Sequence, residues 1–141
     1  MPVENVLYIA QARATGGRVG RAETPGRQLD VALTMPASLG GDSSPGTNPE
    51  ELFAAGYAAC FLGAISFVAG KLKIRLASAS VVEARVGIGP IPTGFGIEVE
   101  LRISLPGLDP DVAQDLIEKA HVVCPYSNAT QGNINVTLTL A

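Results

Sequence analysis

Asn48-Pro49-Glu50-Glu51-Leu52-Phe53-Ala54-Ala55-Gly56-Tyr57-Ala58-Ala59-Cys60-Phe61 is the stretch on which the reading of this chain turns. Asn is a favoured helix N-cap, Pro suits the first helical position, and Glu51, three residues after Asn48, completes a capping-box-like pair. Residues 52–70 then run for nineteen positions without a charge. By length alone such a run would cross a bilayer. It is rich in Ala and Gly rather than Leu, and strand-like segments flank it. Both features point to a helix buried at the centre of a domain. Gly56, Gly63 and Gly70 recur every seven residues and leave a smooth stripe for another helix or sheet. Lys71 and Lys73 end the run with positive charge, as the helix dipole favours.

The segments around this helix read as strands. Residues 7–14 have strand character and enter a Thr15-Gly16-Gly17 hairpin signal, with the return strand over 18–22. Residues 28–35 alternate polar and apolar, as a half-buried strand does. Residues 36–47 are rich in Gly, Ser and Pro and read as a loop. Two strands are expected over 78–88 and 95–105, with a turn over 89–94. Asp109 and Pro110 start a second amphipathic helix, which fades near Cys124 because Pro125 discourages its continuation. Residues 133–140 alternate most cleanly of all. The order β-β-β-α-β-β-α-β makes an α+β domain over residues 1–141.

Bulk composition narrows the function. With 47% hydrophobic and 16% charged residues, the chain is a folded globule with apolar surface to spare, and a subunit interface is the expected place for it. A net charge of −3 offers no basic footprint for nucleic acid. The first residues carry no basic segment followed by an apolar one, so a cytoplasmic protein with no membrane partner is expected. In that compartment a disulfide is more often transient and catalytic than structural.

The chain has two cysteines, Cys60 and Cys124, and one histidine, His121. Cysteines 64 residues apart and a lone histidine make no metal-ligand cluster. His121 reads as a packed or solvent-facing helix residue, Glu51 as a cap, and Tyr126 and Ser127 as shaping the turn after Cys124. Cys60 lies mid-helix among Ala, Phe and Leu, where burial raises a thiol pKa and leaves it inert. To act as a nucleophile it needs a cation nearby. Arg18, Arg21, Arg27, Lys71, Lys73 and His121 are the candidates, and an Arg is favoured because it keeps its charge in apolar surroundings. Two plainer readings stand beside this one: the thiols fill space in the core, or they form a structural disulfide.

The Asn48–Phe61 stretch, followed downstream by Cys124-Pro125-Tyr126-Ser127, resembles the organic hydroperoxide resistance (Ohr) family of the OsmC/Ohr superfamily. The resemblance extends to Gly16-Gly17-Arg18, Leu39-Gly40-Gly41, Gly46-Thr47-Asn48-Pro49-Glu50 and Gly132-Asn133-Ile134, nearly the whole chain. It implies antiparallel sheets packed around a long central helix in an intertwined homodimer. It also implies a thiol-dependent peroxidase that needs no metal, flavin or haem. Cys60 would be the peroxidatic cysteine, attacking an organic hydroperoxide and passing through a sulfenic acid. Cys124 would be the resolving cysteine that condenses with it to a disulfide. Arg18 and Glu50 match the family's catalytic pair, with Arg18 stabilising the thiolate and Glu50 holding Arg18. The reductant implied is a lipoylated protein or other dithiol. The rival readings are an OsmC-branch peroxidase of broader substrate range and a non-enzymatic thiol redox sensor.

Helix geometry adds one expectation. Ten residues of straight helix place Glu50 and Cys60 about 15 Å apart along the axis. The Arg18–Glu50 pair beside Cys60 is therefore expected from the other subunit. The apolar residues near Cys60, Phe53, Phe61 and Phe67 among them, would suit a hydrocarbon tail, or else simply belong to the core.

Overall fold

The computed structural model describes residues 2–141. The chain divides into two compact units, one ending at Pro49 and the other running Glu50–Ala141.

The first unit is a three-stranded antiparallel sheet of β1 (Arg13–Thr15), β2 (Gly20–Glu23) and β3 (Asp30–Leu33), in that order. The β1–β2 turn is tight. Gly16 has φ +76°, and a Cβ there would lie 2.2 Å from the Val19 carbonyl oxygen, so only glycine closes it. Arg18 sits in this turn. The strand character of residues 7–14 is realised only at its end. Residues 6–12 form no strand, and Val6, Leu7, Tyr8 and Ile9 are exposed.

The second unit is built on α1 (Pro49–Lys71), which starts and stops where its capping and charge signals place it. Its buried stripe is Tyr57, Phe61, Ala64, Ile65, Val68 and Ala69, the spacing of one helical face. The expectation of a helix buried all round is corrected in this chain. Ala55, Ala59, Gly63, Phe67 and Gly70 lie on the opposite face and are exposed. By length and composition α1 also qualifies to cross a membrane. Its inner stripe, however, is the centre of the unit's core, packed with Val99, Leu101 and Ile103 and with Leu116, Ile117 and Ala120. Each large aliphatic or aromatic side chain buried there contributes about 1.5–3 kcal/mol.

The sheet of this unit is β4 (Val81–Ile91), β5 (Gly94–Ser104) and β6 (Val136–Leu140). β4 and β5 pair antiparallel out to Ile91↔Gly94, so the expected six-residue turn shrinks to Pro92-Thr93 and the strands lengthen. β6 pairs with β5 in parallel, a correction to a purely antiparallel arrangement. A parallel neighbour needs a crossover, and α2 (Pro110–Val123) and α3 (Pro125–Thr130) supply it. Asp109 caps α2 by accepting a hydrogen bond from the Asp111 amide at 2.9 Å. Pro125 stops α2 as expected, but it also opens α3 as its first residue, so a short helix stands where a turn is expected after Cys124. Cys124, between the two helices, is extended at φ −65°, ψ 123°, the conformation that a following proline imposes.

Candidate active site

Cys60 lies on α1 one turn beyond Tyr57, and Cys124 lies at the α2–α3 junction. The fold brings their sulfurs to 3.6 Å, both as free thiols. Cys60 is half-buried and Cys124 fully buried. Burial pushes the Cys60 thiol above its ordinary pKa. The Tyr126 backbone N–H, donated toward its sulfur, works in the opposite direction, and the nearby Cys124 thiol adds to the rise.

A pocket of about 320 Å³ opens beside Cys60, lined by Gly63, Ala64, Phe67, Val123 and Pro125 as well as the cysteine itself. Of the three phenylalanines considered from sequence, Phe67 alone lines it. Phe61 is fully buried in the core beneath, and Phe53 packs its ring against Tyr57 and Tyr126 at centroid distances of 6.0 and 5.7 Å. Val123 and Pro125 were not foreseen as wall residues. They reach the pocket because Cys124 is placed there and they flank it.

A buried polar chain runs beside the thiols. The Tyr57 and Ser127 hydroxyls meet at 2.7 Å, Tyr57 reaches Thr130 Oγ1 at 3.3 Å, and Ser127 Oγ meets His121 Nδ1 at 2.8 Å. This arrangement was not legible in the sequence, since Tyr57 and Ser127 are 70 residues apart. Burial lowers the His121 pKa, so the ring stays neutral at neutral pH. His121 is then no cation for a thiolate.

The remaining candidate cations sort themselves by position. Arg21 is hydrogen-bonded to Asp30, which Arg27 also approaches. Lys71 lies over the Phe67 ring, 5.0 Å from its centroid, and its backbone is eleven residues beyond Cys60, roughly 16 Å along the helix axis, while Lys73 lies past the end of α1. Glu50 is the second residue of α1 and shares one uninterrupted helix with Cys60, which sets it about 15 Å away along the axis. Among the described residues no three of His, Cys, Asp and Glu converge as metal ligands would.

A pair of facing thiols on a long Ala-rich helix and a Cys-Pro junction, in an α+β unit, is a specific combination, and comparison with known proteins meets it directly. The family model described as OsmC-like protein matches residues 40–139. An organic hydroperoxide resistance protein of Xanthomonas axonopodis pv. citri is 59% identical over 138 residues, covering 98% of this chain and 97% of its own. The chain belongs to the organic hydroperoxide resistance family of OsmC-like proteins. Among solved structures, an organic hydroperoxide resistance protein of Legionella pneumophila superposes with a TM-score of 0.92 at 45% identity, covering 97% of this chain and 99% of that one. The organic hydroperoxide resistance protein OhrB of Bacillus subtilis superposes at 0.87 with 42% identity, covering 96% and 100%. Membership of the family assigns this α+β fold, with its long apolar helix, to the OsmC/Ohr type.

Proposed function

We propose that this chain is a thiol-dependent peroxidase that reduces organic hydroperoxides to alcohols. The observation that carries the reading is the 3.6 Å approach of Cys60 and Cys124 beside an apolar pocket. The Cys60 thiolate attacks the distal oxygen of the hydroperoxide. An S–O bond forms, the O–O bond breaks, and the alkoxide leaves as the alcohol after taking a proton. Cys124 then attacks the Cys60 sulfenic acid, forming the disulfide and releasing water. A dithiol, of the kind carried by lipoylated proteins, returns both thiols. An apolar wall at Phe67, Val123 and Pro125 favours a hydrocarbon-bearing hydroperoxide over hydrogen peroxide, which gains nothing from it.

Burial holds the Cys60 thiol up, so the mechanism needs a charge to bring it down. Arg18 supplies it and Glu50 orients Arg18. Because Glu50 and Cys60 share one straight helix, the pair that serves a given thiol belongs to a second copy of the chain, in an intertwined homodimer. The exposed apolar outer face of α1 and the exposed apolar segment around Leu7, Tyr8 and Ile9 support that assembly.

The test is consumption of tert-butyl hydroperoxide with dihydrolipoamide, comparing wild type with Cys60→Ser and Cys124→Ser. Turnover in the wild type and its loss in both variants is the expected result. Stoichiometric thiol oxidation without turnover would make the protein a redox sensor instead. An unreactive Cys60 would return both thiols to the core.

A further inference from the structure

Tyr57 stands three residues before Cys60, Ser127 three residues after Cys124, and His121 three residues before Cys124. The Tyr57–Ser127 contact at 2.7 Å therefore lies one helical turn from the 3.6 Å contact of the two sulfurs, on both chain segments at once. Ser127 and Tyr57 are fully buried. Ser127 also meets His121 at 2.8 Å, across the extended residue Cys124. One hydroxyl thus joins the end of α2, the start of α3 and the wall of α1. The torsions at Cys124 set the angle between α2 and α3, and that angle sets where the Cys124 sulfur points. The peroxide-reducing step proposed above uses none of these groups.

We propose that Tyr57, Ser127 and His121 form a clamp that fixes the resolving thiol against Cys60. They are positioning residues for disulfide closure, not for attack on the peroxide. In closure the Cys124 sulfur bonds to the Cys60 sulfur, the S–O bond of the sulfenic acid breaks, and the departing hydroxide leaves as water with the proton from Cys124. The electron pair of the S–O bond goes with the oxygen, so atoms and charge balance. Rates of such intramolecular steps depend steeply on holding the reacting atoms near van der Waals contact. The clamp's place in a catalytic cycle rests on the peroxidase reading, whereas its effect on thiol pairing does not.

The experiment uses full-length Tyr57→Phe and Ser127→Ala. Tyr57→Phe removes one oxygen and keeps the ring packed, so it carries the test should Ser127→Ala fail to fold. Each reduced protein is mixed with one equivalent of cumene hydroperoxide in the presence of dimedone, and dimedone adduct and disulfide are counted by mass spectrometry. Cys60 oxidation should proceed at the wild-type rate, while closure slows by roughly tenfold or more and dimedone adduct accumulates. A purely structural loss would lower the melting temperature without moving that partition. In a second arm, oxidised glutathione replaces the peroxide and the rate from Cys60–glutathione mixed disulfide to the Cys60–Cys124 disulfide is read. Slower closure there, with no peroxide reaction in the wild type, would sink the peroxidase reading and keep the clamp. Closure at the wild-type rate in folded Tyr57→Phe would overturn the clamp, whatever the peroxide arm gives.

Discussion

Cys60 and Cys124 hold their sulfurs 3.6 Å apart across a sequence separation of 64 residues. A disulfide bond is about 2.05 Å long, so oxidation asks the sulfurs to close by about 1.5 Å. The α2–α3 junction can deliver this by small torsional changes at Cys124. The reduced site is thus already arranged for the oxidised one.

Closing that loop should stabilise the fold. In the loop-entropy account, a cross-link over 64 residues contributes about 4 kcal/mol by restricting the unfolded chain. Oxidised protein should therefore unfold at higher denaturant concentration than reduced protein, with Cys124→Ser showing no such difference. Equal midpoints for oxidised and reduced wild type would mean that strain in the closed site cancels the gain.

Arg18 carries the proposed activation of Cys60, and its removal should appear in the chemistry of the thiol before it appears in turnover. With burial holding the Cys60 pKa up, Arg18→Ala leaves less thiolate at neutral pH. Alkylation of Cys60 by iodoacetamide should slow by about tenfold for each pKa unit gained. Arg18→Lys should fall between the two, because an ammonium keeps the charge but loses the fork that grips both a thiolate and a carboxylate. An alkylation profile for Arg18→Ala that overlays the wild type would remove Arg18 from the site.

Gly56 tests how closely the junction packs on α1. A Cβ built there lies 2.8 Å from the Tyr126 hydroxyl and 3.3 Å from the nearest ring carbons. Gly→Ala inside a helix ordinarily gains about 0.5–1 kcal/mol. Here overpacking should outweigh it, for a net loss of about 1 kcal/mol. The Tyr126 ring cannot swing away freely, because Phe53 and Tyr57 flank it at 5.7 and 5.6 Å. Removing the hydroxyl with Tyr126→Phe in the same chain should recover most of the loss. Denaturant melts of the two single variants and the double variant give the coupling directly, and additive costs would refute the contact.

The signals that succeeded in the sequence are local, and the ones that failed are not. Pro49 and the paired acids after it mark the start of α1, and Asp109-Pro110 mark that of α2, because a cap and its first turn are neighbours in sequence. Both thiols were visible as members of a motif, and their meeting was implied by resemblance before the structure placed them together. Pro125 carries two meanings, the end of one helix and the first position of the next, and only the first is legible from its neighbours in sequence. The 7–14 segment has strand composition, yet a strand needs a neighbour, and residues 6–12 form none within this chain. Tyr57 and Ser127 carried no sign of each other: an isolated buried Tyr and an isolated Ser look like packing until the fold sets one against the other.

His121 makes stability depend on pH in a predictable direction. Its folded pKa is depressed below the ordinary value of 6.5 because burial disfavours the imidazolium. The unfolded chain then binds more protons than the folded one in the window below 6.5, so stability rises with pH through that window. The contribution is fully present above the unfolded pKa and is lost as pH falls through the folded one. Protonation would also oblige Nδ1 to donate to Ser127, which can answer only by turning its own proton toward Tyr57. Wild type should thus lose stability between pH 7 and 5 more steeply than His121→Gln, which keeps a polar group near Ser127 but cannot titrate. Thermal melts of the two proteins across that range decide the matter, and parallel curves would mean that His121 reaches solvent freely enough to keep its ordinary pKa.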